Sequence, residues 1–104
     1  MFGINTAIEA FERNPTDDAA QDVDMEVRSS VLFSFFLRSE GCPVPPILFD
    51  QLERAHSVLQ NVQTPTDLTR HYAASVLYRK DILLAHDRGD HATVDAMIKE
   101  ALES

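Results

Sequence analysis

The sequence has no tryptophan, a single cysteine and only three glycines in 104 residues. One cysteine cannot form an intrachain disulfide, so a reducing compartment is the simpler expectation. Three separated glycines cannot make a glycine-rich phosphate loop, and no Gly-x-Ser-x-Gly or comparable nucleophile motif is present. No window approaches the roughly 20 apolar residues of a membrane span, and the N-terminal residues lack the pattern of a signal peptide. We therefore expect a cytoplasmic protein that is not an enzyme and holds no cofactor.

Positive charge is also scarce, since nine Lys and Arg against seventeen Asp and Glu give a formal net charge of −8. The acids are concentrated near the N-terminus, where residues 1–27 carry seven of them against one arginine. Nucleic-acid affinity depends largely on Lys and Arg displacing counterions from phosphates, so direct binding to DNA or RNA is disfavoured. A basic partner would be attracted.

What the sequence does have is a dense apolar run, Val31-Leu32-Phe33-Ser34-Phe35-Phe36-Leu37, in which six of seven residues are large and hydrophobic. The chain is long enough to bury one core but too short for two, so residues 1–104 are expected to form a single domain. No second run offers this one a clean strand partner, which favours a helix over a buried strand. We predict an all-α bundle.

Local signals divide the chain into about five helices. Thr16 is a good N-cap, and Gly41 and Gly89 can supply the left-handed residue that closes a helix. Thr64-Pro65 predicts another start, with Thr64 as the cap, and Asp90 should cap the last helix. The predicted helices span residues 5–13, 17–39, 46–62, 65–88 and 91–103, and the last two should form an antiparallel hairpin.

Apolar periodicity indicates how these helices should pack. The end of the second helix and most of the fourth are apolar nearly all round, as in helices covered on several sides, and we expect both at the centre. The fifth helix should turn Val94, Met97, Ile98 and Ala101 inward. A bundle this small can fully surround only one such helix, which predicts a leftover apolar face for a partner or a second copy.

The junction between the last two helices resembles the inner turn of a tetratricopeptide repeat, a helical-hairpin family that binds proteins. Gly89, Asp90, Ala101 and the hydrophobic character of Ile98 carry the resemblance, which spans about thirty residues. Three positions of the fourth helix differ from the repeat pattern, and no second copy precedes it. The resemblance implies an antiparallel helical hairpin.

Four side chains around Gly89 could ligate a metal, namely His86, Asp87, Asp90 and His91. A metal-dependent hydrolase built on them is one hypothesis. Two helix-capping acids and two exposed imidazoles explain the same residues without a metal, so we predict no metal site.

The acidic N-terminal third supports a different hypothesis. Its acids are Asp17, Asp18, Asp22, Asp24 and Glu26, and at helical spacing Asp18, Asp22 and Glu26 fall on one line of about 12 Å. Such a strip could mimic the phosphates of nucleic acid and block a DNA- or RNA-binding protein. A solvated helix face explains the same acids without a partner.

The leftover apolar face is the stronger clue to function. We expect a non-catalytic protein-protein interaction module, a small acidic adaptor, chaperone or inhibitor. Its partner should be a protein that is basic or has an apolar groove, and a homodimer through the same face is a further option. The expected binding residues are the apolar Phe33, Phe36 and Leu37, rimmed by the acids Asp18, Asp22 and Glu26. Helix three or four should complete the surface.

Overall fold

The computed structural model describes residues 3–103, and over that range the chain is helical with no strand. Its five helices are α1 (Ile4–Arg13), α2 (Asp17–Ser39), α3 (Pro46–Gln60), α4 (Asp67–Asp87) and α5 (His91–Glu103). The prediction of an all-α bundle of about five helices is confirmed, and each predicted boundary lies within two residues of the observed one.

Most of the helix ends are made by the local signals that the sequence carries. The hydroxyl of Thr16 accepts a hydrogen bond from the Ala19 N–H at 3.1 Å. Gly41 has φ of 83° and Gly89 has φ of 76°, the left-handed conformation that reverses the chain after a helix. Asp90 accepts hydrogen bonds from the N–H and the hydroxyl of Thr93, as expected of an N-cap.

The predicted start of α4 is wrong in its capping residue. Thr66, not Thr64, is the N-cap, and its hydroxyl oxygen accepts from the Thr69 N–H at 3.1 Å. The same hydroxyl donates to a carboxylate oxygen of Asp17 at 2.6 Å, which fastens the start of α4 to the start of α2. That tertiary bond favours the later of the two threonines. The other boundary that differs by two residues is the end of α3, which lies at Gln60 instead of at residue 62.

The central helix is α4, which packs against α2, α3 and α5. The main core joins buried residues of the first four helices, including Ile8, Val27, Leu52 and Val76, each with no exposed surface. The expectation that the end of α2 would also lie at the centre is wrong. Only Val31 and Ser34 of the apolar run are buried there, because the helices packed against α2 cover one side of it and leave Leu32, Phe33 and Phe36 exposed on the other.

Helix α5 lies at the edge of the bundle. It packs on α4 through the turn at Gly89, as the predicted hairpin requires, and the Tyr78 hydroxyl donates to the Met97 carbonyl at 3.4 Å. The prediction that its apolar residues point into the core is wrong, since none of the residues described in α5 is fully buried. Val94 and Met97 are half-buried and Ile98 is 44% exposed, because only α4 is close enough to cover them.

Candidate functional site

The side of α2 that points away from the bundle exposes both acidic and large apolar side chains. Positions three and four residues apart share a face of a helix, and α2 turns Val23, Val27 and Ser34 toward the core. The opposite side, which we name the α2 outer face, is about 27 Å long at 1.5 Å per residue. Its members are all exposed: Asp18, Asp22, Met25, Glu26, Ser29, Leu32, Phe33 and Phe36.

The C-terminal half of the α2 outer face is apolar. Leu32 is 67% exposed, Phe33 46% and Phe36 58%. The rings of Phe33 and Phe36 stack on each other, with centroids 6.4 Å apart and planes 24° from parallel. Two stacked, solvent-facing phenylalanines beside an exposed leucine form a contiguous apolar patch of the kind found at interaction surfaces.

The remaining residues of the apolar run are drawn toward the bundle. Phe35 is half-buried and meets the ring of His86 edge to face, with centroids 4.7 Å apart. Ser34 is buried, and its hydroxyl donates to the Ser30 carbonyl at 2.8 Å, which satisfies a polar group inside the core. Leu37, one of the expected binding residues, is half-buried and so contributes less to the outer face than its two phenylalanine neighbours.

The N-terminal half of the α2 outer face is acidic, because Asp18, Asp22 and Glu26 are all exposed. The other two acids of the run have structural roles. Asp17 accepts the hydrogen bond from Thr66. Asp24 is 2% exposed and pairs with Arg28 at 2.8 Å, so the strip available for mimicry of nucleic acid is limited to three acids.

The histidines and acids around Gly89 contact other side chains, but the buried Nε2 of His86 has no hydrogen-bond partner in the part of the chain that the structure describes. His86 packs between Phe35 and His91, whose ring centroid is 6.3 Å away. The Asp87 carboxylate faces Arg38 at 4.0 Å. The hydrogen bonds from Thr93 lower the pKa of Asp90, and Arg88 adds a smaller effect in the same direction. Within residues 3–103 no group of three or more His, Cys, Asp or Glu side chains is placed to hold a metal ion.

Sequence reasoning missed two apolar members of the α2 outer face, Met25 and Leu32. Met25 is 56% exposed and connects the acidic half to the apolar half. Met25 and Leu32 lie on this face by the same spacing of three and four residues that places Asp18, Asp22 and Glu26 on it. The spacing alone did not show which side of the run would be left open.

Comparison with known proteins adds no relative: no family model, curated protein or solved structure matches this chain. Among the helices of residues 3–103, none combines the length and the apolar content of a transmembrane segment. The candidate site therefore depends on the geometry of the chain itself.

Proposed function

We propose that this protein is a non-catalytic protein-protein interaction module, a small acidic adaptor, chaperone or inhibitor that binds its partner through the α2 outer face. The single observation that carries the proposal is the exposed, stacked pair Phe33 and Phe36 beside the exposed Leu32. Monomeric proteins seldom leave neighbouring large apolar side chains open to water unless a partner covers them.

The two phenylalanines supply a substantial driving force for binding. A phenylalanine side chain has roughly 200 Å² of surface, so exposures of 46% and 58% leave about 200 Å² of Phe33 and Phe36 open. At about 25 cal/mol per Å², covering that surface contributes about 5 kcal/mol before the costs of association. Met25 and Leu32 extend the same patch.

The charge pattern indicates what kind of partner fits. The three exposed acids lie on the same face as the patch, about two to five helical turns toward the N-terminus, and the whole chain carries a net charge of −8. A partner that is apolar where it meets Phe33 and Phe36 and basic where it meets Asp18 and Asp22 matches both halves. Charges of this kind act mainly on the rate of encounter and on specificity.

A photo-crosslinking experiment can find the partner and test the face together. A benzoylphenylalanine placed at Ser29, in the middle of the α2 outer face, should crosslink the partner in cells of the native host. The matched control at Ser57, exposed on α3, should not. Equal crosslinking from both positions would contradict the proposal.

The affinity of the purified pair then separates the apolar contribution from the acidic one. Phe33→Ser with Phe36→Ser should weaken binding at least about 100-fold, since a loss of about 3 kcal/mol corresponds to that factor. A second variant replaces the three exposed acids with Asn or Gln. It should slow association and reduce its salt dependence, with little change in the dissociation rate. If the acid variant abolishes binding while the serine variant does not, the protein is a nucleic-acid mimic instead.

A further inference from the structure

A second candidate site lies between α2, α4 and α5, where a cleft of about 290 Å³ opens on the surface. Its chemistry differs from that of the α2 outer face, because an apolar wall meets two arginines. The apolar wall is formed by Leu32 and Phe35 of α2, Ile82 of α4 and Ile98 of α5. The basic groups are Arg28 of α2 and Arg79 of α4.

The positive charge of this cleft exceeds the negative charge that balances it. Asp24 pairs with Arg28 through one carboxylate oxygen, and its buried Oδ1 has no hydrogen-bond partner among the described residues. Two guanidinium groups against one carboxylate leave one positive charge unbalanced. In a chain of net charge −8, this local excess marks a place for an anion.

Arg79 has capacity to bind such an anion. A guanidinium has five N–H donors, and the hydrogen bonds of Arg79 to the carbonyl and hydroxyl of Ser75 use Nη1. Burial lowers the pKa of Arg79, and the nearby charge of Arg28 lowers it further. An anion between the two arginines would relieve that repulsion.

We propose that the cleft binds a small apolar monocarboxylate, with its carboxylate at Arg28 and Arg79 and its hydrocarbon chain against the apolar wall. The volume of about 290 Å³ lies at the lower end of ligand pockets, which run from about 300 to 1,000 Å³, so the cleft suits a ligand as small as octanoate. The cleft shares Leu32 with the α2 outer face, but its arginines are separate from that face. The ligand site can therefore be tested independently of the proposed function.

The test is a titration of the full chain with sodium octanoate, followed by NMR of the backbone amides. We expect saturable shifts confined to residues around the cleft, with a dissociation constant of about 1 mM. Octanol, which has the same chain without the charge, should bind about tenfold more weakly, and octylammonium should not bind. Octanol binding as tightly as octanoate, or shifts that never saturate, would overturn the proposal.

Variants locate the site. Arg79→Met removes the charge but keeps the apolar stem of the side chain. It should lower the affinity for octanoate about tenfold and leave the affinity for octanol unchanged. Arg70→Met, at an exposed position of the same helix, is the matched control and should leave both affinities unchanged. Ile98→Glu places a carboxylate at the cleft from the loosely packed α5, so it tests the site without altering the core. It should also weaken octanoate, and octanoate affinity that survives both Arg79→Met and Ile98→Glu would show that the cleft is not the site.

Discussion

Two phenylalanines provide a direct test of which apolar residues this fold buries. Phe11 on α1 is 2% exposed and Phe36 on α2 is 58% exposed. Replacing each with alanine removes the same atoms from the two environments. If the α2 outer face is open to solvent in the folded monomer, the two substitutions should differ strongly in their cost to stability.

The magnitudes follow from the buried areas. Phe11 buries nearly all of its roughly 200 Å², worth about 5 kcal/mol at 25 cal/mol per Å², and Phe→Ala substitutions in cores cost about 3–5 kcal/mol. Phe36 buries about 85 Å², worth at most about 2 kcal/mol, and alanine regains about 0.5 kcal/mol through its higher helix propensity. We expect Phe11→Ala to cost about 4 kcal/mol and Phe36→Ala about 1.5 kcal/mol or less.

Urea unfolding followed by far-UV circular dichroism measures both values, and equal m-values would show that the two variants unfold from comparably folded states. In thermal unfolding the difference should exceed about 10 °C, at roughly 4–8 °C per kcal/mol for a chain of about this size. Both variants are measured at low protein concentration, where the unfolding midpoint is shown to be independent of concentration. Self-association then adds nothing to the measured loss of stability. If Phe36→Ala proves as costly as Phe11→Ala, the face is covered in the folded monomer and the proposed function loses its basis.

Three further outcomes test other parts of the structure. Thr66→Ala should cost about 1–2 kcal/mol of unfolding free energy, because it removes the cap of α4 and the tertiary hydrogen bond to α2. Thr64→Ala should leave the unfolding free energy nearly unchanged, and equal costs for the two variants would contradict the capping assignment. Arg28→Met should lower the free energy of unfolding by about 2 kcal/mol or more, because it leaves the buried carboxylate of Asp24 unpaired. In the same urea assay Arg70→Met, which breaks an exposed ion pair, should cost less than about 0.5 kcal/mol. Reversible self-association through the α2 outer face should be detected by sedimentation equilibrium at micromolar concentrations. The association should strengthen with added salt, because salt screens the repulsion between two chains of net charge −8. A monomer at all salt concentrations would refute this prediction.

The positions of the helices could be predicted because their signals are local. A threonine hydroxyl at Thr16, a carboxylate at Asp90 and left-handed glycines at positions 41 and 89 act on backbone groups within a few residues. The exception is the start of α4, where the sequence predicts Thr64 as the cap and the structure has Thr66 instead. The choice between them depended on Asp17, which lies 49 residues away from Thr66 in the chain.

The candidate site was predicted only in part, for a related reason. The sequence identified Phe33 and Phe36 as surplus apolar surface, and both are exposed. Sequence reasoning did not separate the buried Asp24 from the exposed Asp22, although Asp24 lies four residues after Ala20 and three before Val27, at the spacing of the buried face. Nor could it assemble the cleft, whose arginines stand on two different helices and whose outer wall includes α5.

The amino-acid sequence by itself determined the fold class, the ends of most helices and the acidity of the N-terminal third, because hydrogen-bonding side chains and apolar periodicity act over one or two helical turns. The tertiary structure decided which apolar faces are covered. Helices α2 and α4 are both rich in apolar residues, and each packs against three other helices. The end of α2 nevertheless keeps Phe33 and Phe36 in solvent. Burial depends on which side of a helix its neighbours cover, and only the packing of the whole chain sets that side.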